Sequence, residues 1–213
     1  YFVTGDIEVA EGGALVIEPG VQVFFVGRHG LTVGREARLT ARGNAVLPIE
    51  LTAWNRGTGW AGLRFIASGA DDVLSHCWLS YAKKGTTLAP RRGSETRAPV
   101  FGTTLEDLRG GAIYCQTSSP TIEGCKITNN LGDIAGAIYC YGGFPTIDNT
   151  LIANNSSLGG SPRCSGVCCY GSGSVRLQNC TIVHNSPGGI FAASWDGMTV
   201  TNSIVWGNEM YQI

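Results

Sequence analysis

Glu123 and Asp148 stand at the same position of two similar ten-residue strings, Thr121-Ile-Glu-Gly-Cys-Lys-Ile-Thr-Asn-Asn130 and Thr146-Ile-Asp-Asn-Thr-Leu-Ile-Ala-Asn-Asn155. If the two copies stack, the carboxylates lie about 5 Å apart, the spacing of adjacent strands. Such a pair can share a proton, bind Ca²⁺, or act as the two carboxylates of a retaining glycosidase. Ser75 and Gln178 flank the pair in the same column, and Arg176 lies two positions from Gln178 on the same outer face, placed to hold an acidic sugar. The plainer reading is a solvated strand face on which Lys126 neutralises one carboxylate.

Aromatic and cationic residues suggest a second chemistry. Tyr114, Tyr139 and Phe191 fall in one outward column, with Arg64 before them and Cys168 between. Rings at strand spacing either offer a ladder for sugar stacking or stack on one another. Trp78 is also outward and adjoins an insertion at 83–109. That insertion carries six basic residues (Lys83, Lys84, Arg91, Arg92, Arg97, Arg109) against three acidic ones (Glu95, Glu106, Asp107), a local charge of +3. Trp78 with Arg91, Arg92 and Arg97 suits an anionic polysaccharide, the indole giving face contact and the guanidinium groups gripping carboxylate or sulfate. If the insertion folds over Trp78, the same residues form a small satellite core.

The eight cysteines divide into columns. Cys77, Cys125 and Cys180 share one, interrupted by Thr150, and Cys115, Cys140 and Cys169 share another. Both occupy inward positions, where a thiol behaves as a small hydrophobe. A Cys115–Cys140 bond is also within reach at strand spacing. Cys164 and Cys168, four apart at the end of a loop, are the candidates for a disulfide. His29, His76 and His184 are far apart and no cysteine and histidine pairs have zinc spacing, so no metal cluster is expected.

These residues need elements to position them, and a repeat supplies those elements. Gly110-Gly-Ala-Ile-Tyr-Cys115 recurs as Ala135-Gly-Ala-Ile-Tyr-Cys140, with weaker echoes at 165–169 and 188–192. The longer string returns as Arg176-Leu-Gln-Asn-Cys-Thr-Ile-Val-His-Asn185 and Thr199-Val-Thr-Asn-Ser-Ile-Val-Trp-Gly-Asn208. Apolar residues alternate within each string, which is strand periodicity, and no helical stripe competes. A unit of about 25 residues with two or three short strands winds into coils whose strands pair in parallel with their copies. The fold expected is all-β: a right-handed parallel β-helix of about eight coils, forming a single domain over 1–213. Residues 1–59 make irregular N-terminal coils, 60–208 the regular repeats, and 83–109 an inserted loop. The Asn column (Asn130, Asn155, Asn185, Asn208) follows a strand, at a bend where the amides can bond to the copies above and below.

Composition excludes several function classes. Fifteen Lys+Arg against sixteen Asp+Glu give a net charge of −1, so no global field gathers nucleic acid or an anionic membrane. No apolar run has the length of a membrane span, and no charged-then-apolar leader opens the sequence. Tyr1 is therefore expected to be a processed end or a cut in a longer chain. The last strand stops without a closing segment, so the native chain should continue, or an end-to-end or capping partner should cover the C-terminal coil.

The Gly-Gly-Ala-Ile at 110–113 and Gly-Ala-Ile at 136–138 occur together with hydrophobic-x-x-Asn at Ile127–Asn130, Ile152–Asn155, Ile182–Asn185 and Val205–Asn208. Together they resemble the GGAI and FxxN repeats of polymorphic outer-membrane proteins and, more widely, the pectate-lyase-like β-helix superfamily. Here Ile or Val replaces Phe. The resemblance implies export to the cell surface or medium. Polygalacturonase-like members carry Asn-Thr-Asp, Asp-Asp and Gly-His-Gly on successive coils, whereas this chain has only Asp71-Asp72 and Arg28-His29-Gly30, in another order. Pectate-lyase-like members need several Ca²⁺-binding carboxylates beside an Arg base, and here the outer columns hold only Glu123 and Asp148. The expectation is a secreted or cell-surface, non-catalytic protein for adhesion, polysaccharide binding or extracellular assembly, with a polysaccharide or surface protein as partner and no cofactor. The alternative is a lyase or glycoside hydrolase acting on an acidic polysaccharide through Glu123, Asp148 and Arg176, with Ca²⁺ possible at the carboxylates.

Overall fold

The computed structural model describes residues 1–84, 110–158, 164–193, 197–210 and 212. Among them the chain winds through three long parallel sheets in turn, and a short fourth pairs Leu131–Gly132 with Ser156–Ser157. The first sheet stacks Ile7–Val9, Leu31–Val33, Leu63–Ile66, Ile113–Gln116, Ile138–Gly143, Val167–Gly173 and Ile190–Ala192. The second stacks Ala14–Ile17, Arg38–Arg42, Val73–Ser75, Thr121–Glu123, Thr146–Asp148, Val175–Gln178 and Met198–Thr201. The third stacks Phe2–Val3, Gln22–Phe25, Ile49–Ala53, Cys77–Ser80, Lys126–Thr128, Leu151–Ala153, Thr181–Val183 and Ile204–Trp206. Equivalent repeat letters are vertical neighbours: Ile122 pairs with Ile147, and Ile147 with Leu177. No helix is long and apolar enough to cross a membrane among these residues.

The alternation noted in the sequence decides which side chains enter the coil. Leu31, Leu63, Ile113, Ile138, Val167 and Ile190 form one inward column of the first sheet, and all are buried. They belong to one continuous apolar core that extends from Val9 to Ile190. Each buried CH₂ contributes about 0.8 kcal/mol, so this column is a main source of stability.

The corners carry the rest of the repeat. Between the second and third sheets the backbone turns through one residue of positive φ: His76, Gly124, Asn149, Asn179 and Asn202. The residue after each is Cys77, Cys125, Thr150, Cys180 or Ser203, and its Sγ or Oγ donates to the carbonyl two residues back, at 3.4, 3.3, 2.8, 3.1 and 2.8 Å respectively. The same side-chain atoms accept backbone N–H groups from the preceding coil, Cys77 to Cys125 Sγ, Cys125 to Thr150 Oγ1 and Cys180 to Ser203 Oγ. Thr150 therefore continues the column that it was expected to interrupt. A thiol here acts as a hydroxyl would, as well as filling space.

Beyond the third sheet the chain turns again through positive φ at Tyr81, Asn129, Asn154, His184 and Gly207. Asn130, Asn155, Asn185 and Asn208 follow and point inward, and all are buried. Their amides form a ladder: Asn130 Nδ2 donates to Asn155 Oδ1 (2.9 Å), Asn155 to Asn185 (3.0 Å) and Asn185 to Asn208 (3.1 Å). The backbone N–H of each also donates to the next Oδ1. In a dry interior such a network is stable only when every member is satisfied.

The structure joins Cys164 to Cys168 in a disulfide. Cys115, Cys140 and Cys169 are in register as free thiols and are buried, as are Cys77, Cys125 and Cys180. The Cys115 contact and burial push the Cys140 thiol well up, and burial beside Cys140 raises Cys169 to about 11.

Candidate functional site

The corner between the second and third sheets gathers the polar residues singled out in the sequence. Glu123 pairs with Ser75 on one side and with Asp148 on the other, and Asp148 pairs with Gln178, all on the outer face of the second sheet. Glu123 is exposed and Asp148 half-buried. The carboxylates do not share an environment: Asn179 Nδ2 donates to Asp148 Oδ1 at 2.9 Å, and Asn202 in turn donates to Asn179. Arg176 directs its guanidinium to Gln178 Oε1 (2.7 Å) rather than to either carboxylate. Ser75 Oγ lies 3.0 Å from His76 Nδ1, and the imidazole lies over Gly124, where a Cβ would stand 3.1 Å from the ring. Among the described residues no three His, Cys, Asp or Glu side chains come together as metal ligands.

Across the same corner, Trp78 and Lys126 are register partners on the outer face of the third sheet. Trp78 is 36% exposed, and the Lys126 ammonium sits 4.4 Å from the centre of its ring. Lys126 is thus committed to the indole, a cation–π contact, where the sequence suggested a partner for the carboxylates. Glu50, the neighbour of Trp78 on the other side, accepts a hydrogen bond from Gln22 at 2.7 Å. Arg91, Arg92, Arg97 and most of the 83–109 insertion lie outside the described residues; Lys83, at its start, donates to the Gly57 carbonyl.

The ring column differs from its expected form. Tyr114 and Tyr139 have the outward register, yet they are only 1% and 3% exposed. They are covered in a second apolar cluster with Ala135, Cys164 and Cys168, against which Ile66, Ile134, Tyr170 and Phe191 pack. These rings stack on one another and are not an open sugar platform. The stack also contains a ring that the column missed. Cys168 holds the register place between Tyr139 and Phe191, but Tyr170 fills the gap, 5.7 Å from Tyr139 and 5.4 Å from Phe191. Arg64 closes the other end, 4.9 Å over Tyr114.

A further aromatic group went unnoticed in the sequence. Phe2 and Phe24 stack at 5.6 Å and Trp54 meets both edge-on, at 4.9 and 5.9 Å. Phe24 lies between the inward residues Val23 and Phe25, so its outward direction was readable from alternation. Beside this group, at the first coil, is an apolar cavity of about 400 Å³ whose lining includes Val3, Ile7, Leu15 and Phe25.

A family model described as right-handed beta helix region matches residues 71–205 of the chain. No curated protein and no solved structure matches it.

Proposed function

The chain belongs to the right-handed β-helix family, and on that scaffold we propose that it is a non-catalytic, exported or cell-surface protein that binds polysaccharide along the corner between its second and third sheets. One observation carries the reading: an exposed indole with a cation on its ring lies across one corner from a column of planar polar groups (Glu123, Asp148, Gln178) at strand spacing, with the Asn179 amide bonded to Asp148. Indole faces take the C–H faces of sugar rings, and planar amides and carboxylates take their hydroxyls. The column runs along the solenoid axis, the direction in which a linear polymer would lie. Catalysis is less well supported, because Asp148 is held by Asn179 and Arg176 by Gln178, leaving Glu123 without a converging base or cation among the described residues. The Cys164–Cys168 disulfide supports an oxidising destination.

Retention on immobilised polysaccharides tests the proposal. Trp78→Ala and Lys126→Ala should each weaken retention about tenfold, the loss of one good contact. Full retention by both variants overturns the site. Turnover of a uronic-acid polymer that collapses in the Glu123→Gln, Asp148→Asn double variant overturns the non-catalytic reading.

A further inference from the structure

The signature Asn-x-Ser/Thr marks an acceptor for N-linked oligosaccharide, and it occurs at Asn154-Asn155-Ser156, Asn155-Ser156-Ser157 and Asn179-Cys180-Thr181. The structure separates these three sites. Asn155 is fully buried; its Nδ2 donates to Ile127 O (2.9 Å), Ala153 O (3.1 Å) and Asn185 Oδ1 (3.0 Å). A sugar on that nitrogen would remove ladder donors and have to enter the core. Asn179 uses both ends of its amide, Nδ2 toward Asp148 and Oδ1 toward Asn202. Asn154 differs from both. It is exposed, it occupies a left-handed turn (φ 56°), and its side chain makes no hydrogen bond among the described residues. Only its backbone is engaged, donating to the Val183 carbonyl.

We propose that Asn154 accepts an N-linked oligosaccharide when the chain passes through a compartment that performs this transfer, and that Asn155 and Asn179 do not. The donor is a lipid-diphosphate-linked oligosaccharide. The Asn154 amide nitrogen bonds to the anomeric carbon, the bond from that carbon to the diphosphate oxygen breaks, and one amide proton is released as the lipid diphosphate departs. The inference rests on the proposed export. Asn154 lies at the corner by which the chain leaves the third sheet, and the proposed polysaccharide corner is where it enters. The glycan would therefore leave Trp78 and Lys126 accessible.

The test is to secrete the 213-residue chain from eukaryotic cells behind a cleavable leader and measure its intact mass before and after peptide N-glycosidase. One glycan is expected. Asn154→Gln and Ser156→Ala should each abolish it, the second while keeping the Asn154 side chain, and Thr181→Val should leave it in place. Secreted, folded chain without a glycan overturns the proposal, as does a glycan on Asn155 or Asn179. Because the leader supplies export and polysaccharide retention is measured separately, failure here does not touch the binding reading.

Discussion

The backbone N–H of Cys125 donates to the hydroxyl of Thr150 one coil away (3.3 Å), as the N–H of Cys77 donates to the sulfur of Cys125 (3.4 Å). Thiol and hydroxyl thus exchange roles in one column. Cys125→Ser should therefore cost under about 1 kcal/mol, whereas Cys125→Ala, which orphans the Cys77 N–H, should cost about 1–3 kcal/mol. Urea unfolding of the two variants checks the order, and equal losses would mean that the sulfur only fills space.

Asn155 sits mid-ladder, accepting from the backbone N–H and from the Nδ2 of Asn130 while donating to Asn185. Asn155→Leu has similar bulk but orphans the Asn130 backbone N–H, leaves Asn130 Nδ2 with Leu79 O alone, and withdraws the donor from Ile127 O and Asn185 Oδ1, so a loss of about 3 kcal/mol is expected. Asn208 accepts the same two bonds from Asn185, so Asn208→Leu should cost a comparable amount. Thermal melts of both variants test this, and a negligible loss at either position would mean that the rungs carry no stability.

Asp72 is buried, accepting from the Leu39 N–H (2.7 Å) and from Ser68 Oγ. Burial raises its carboxyl above the ordinary aspartate value; the bonds from Ser68 and Leu39 and the nearby Arg38 pull the other way, and Asp71 adds to the rise. A raised folded value means that its contribution is fully present below the unfolded pKa and is lost as pH rises through the folded one. Asp72→Asn keeps an oxygen for Leu39 and removes the charge. Its stability relative to wild type should accordingly improve from acid to neutral pH, measured as the difference in urea midpoint. A difference that stays flat with pH would refute the assignment.

The repeat was legible because a stacked coil repeats its demands. Ile122 over Ile147 and Cys115 over Cys140 follow directly from aligned strings. Alternation also fixed which side of a strand Tyr114 and Tyr139 occupy. It could not tell that the outer side is covered, because alternation says which way a side chain leaves its own strand and nothing of the turn residues (Ile134, Ala135, Cys164) that fold over it. Tyr170 was missed for a related reason: a ring reaches diagonally past its register, so the stack does not follow the column. At the candidate corner the column placed Glu123 beside Asp148 correctly. Hydrogen-bond direction then separated them, and the choice of Lys126 for Trp78 is likewise set by side-chain reach rather than by spacing.

The amide ladder also limits how this molecule can change length. Successive members are 25, 30 and 23 residues apart, so the outer connections absorb insertions freely while each rung still meets the next. Removing part of a turn would leave one rung facing nothing, whereas excising or duplicating a complete turn restores every bond. Growth and shortening of such a rod should therefore proceed in whole turns.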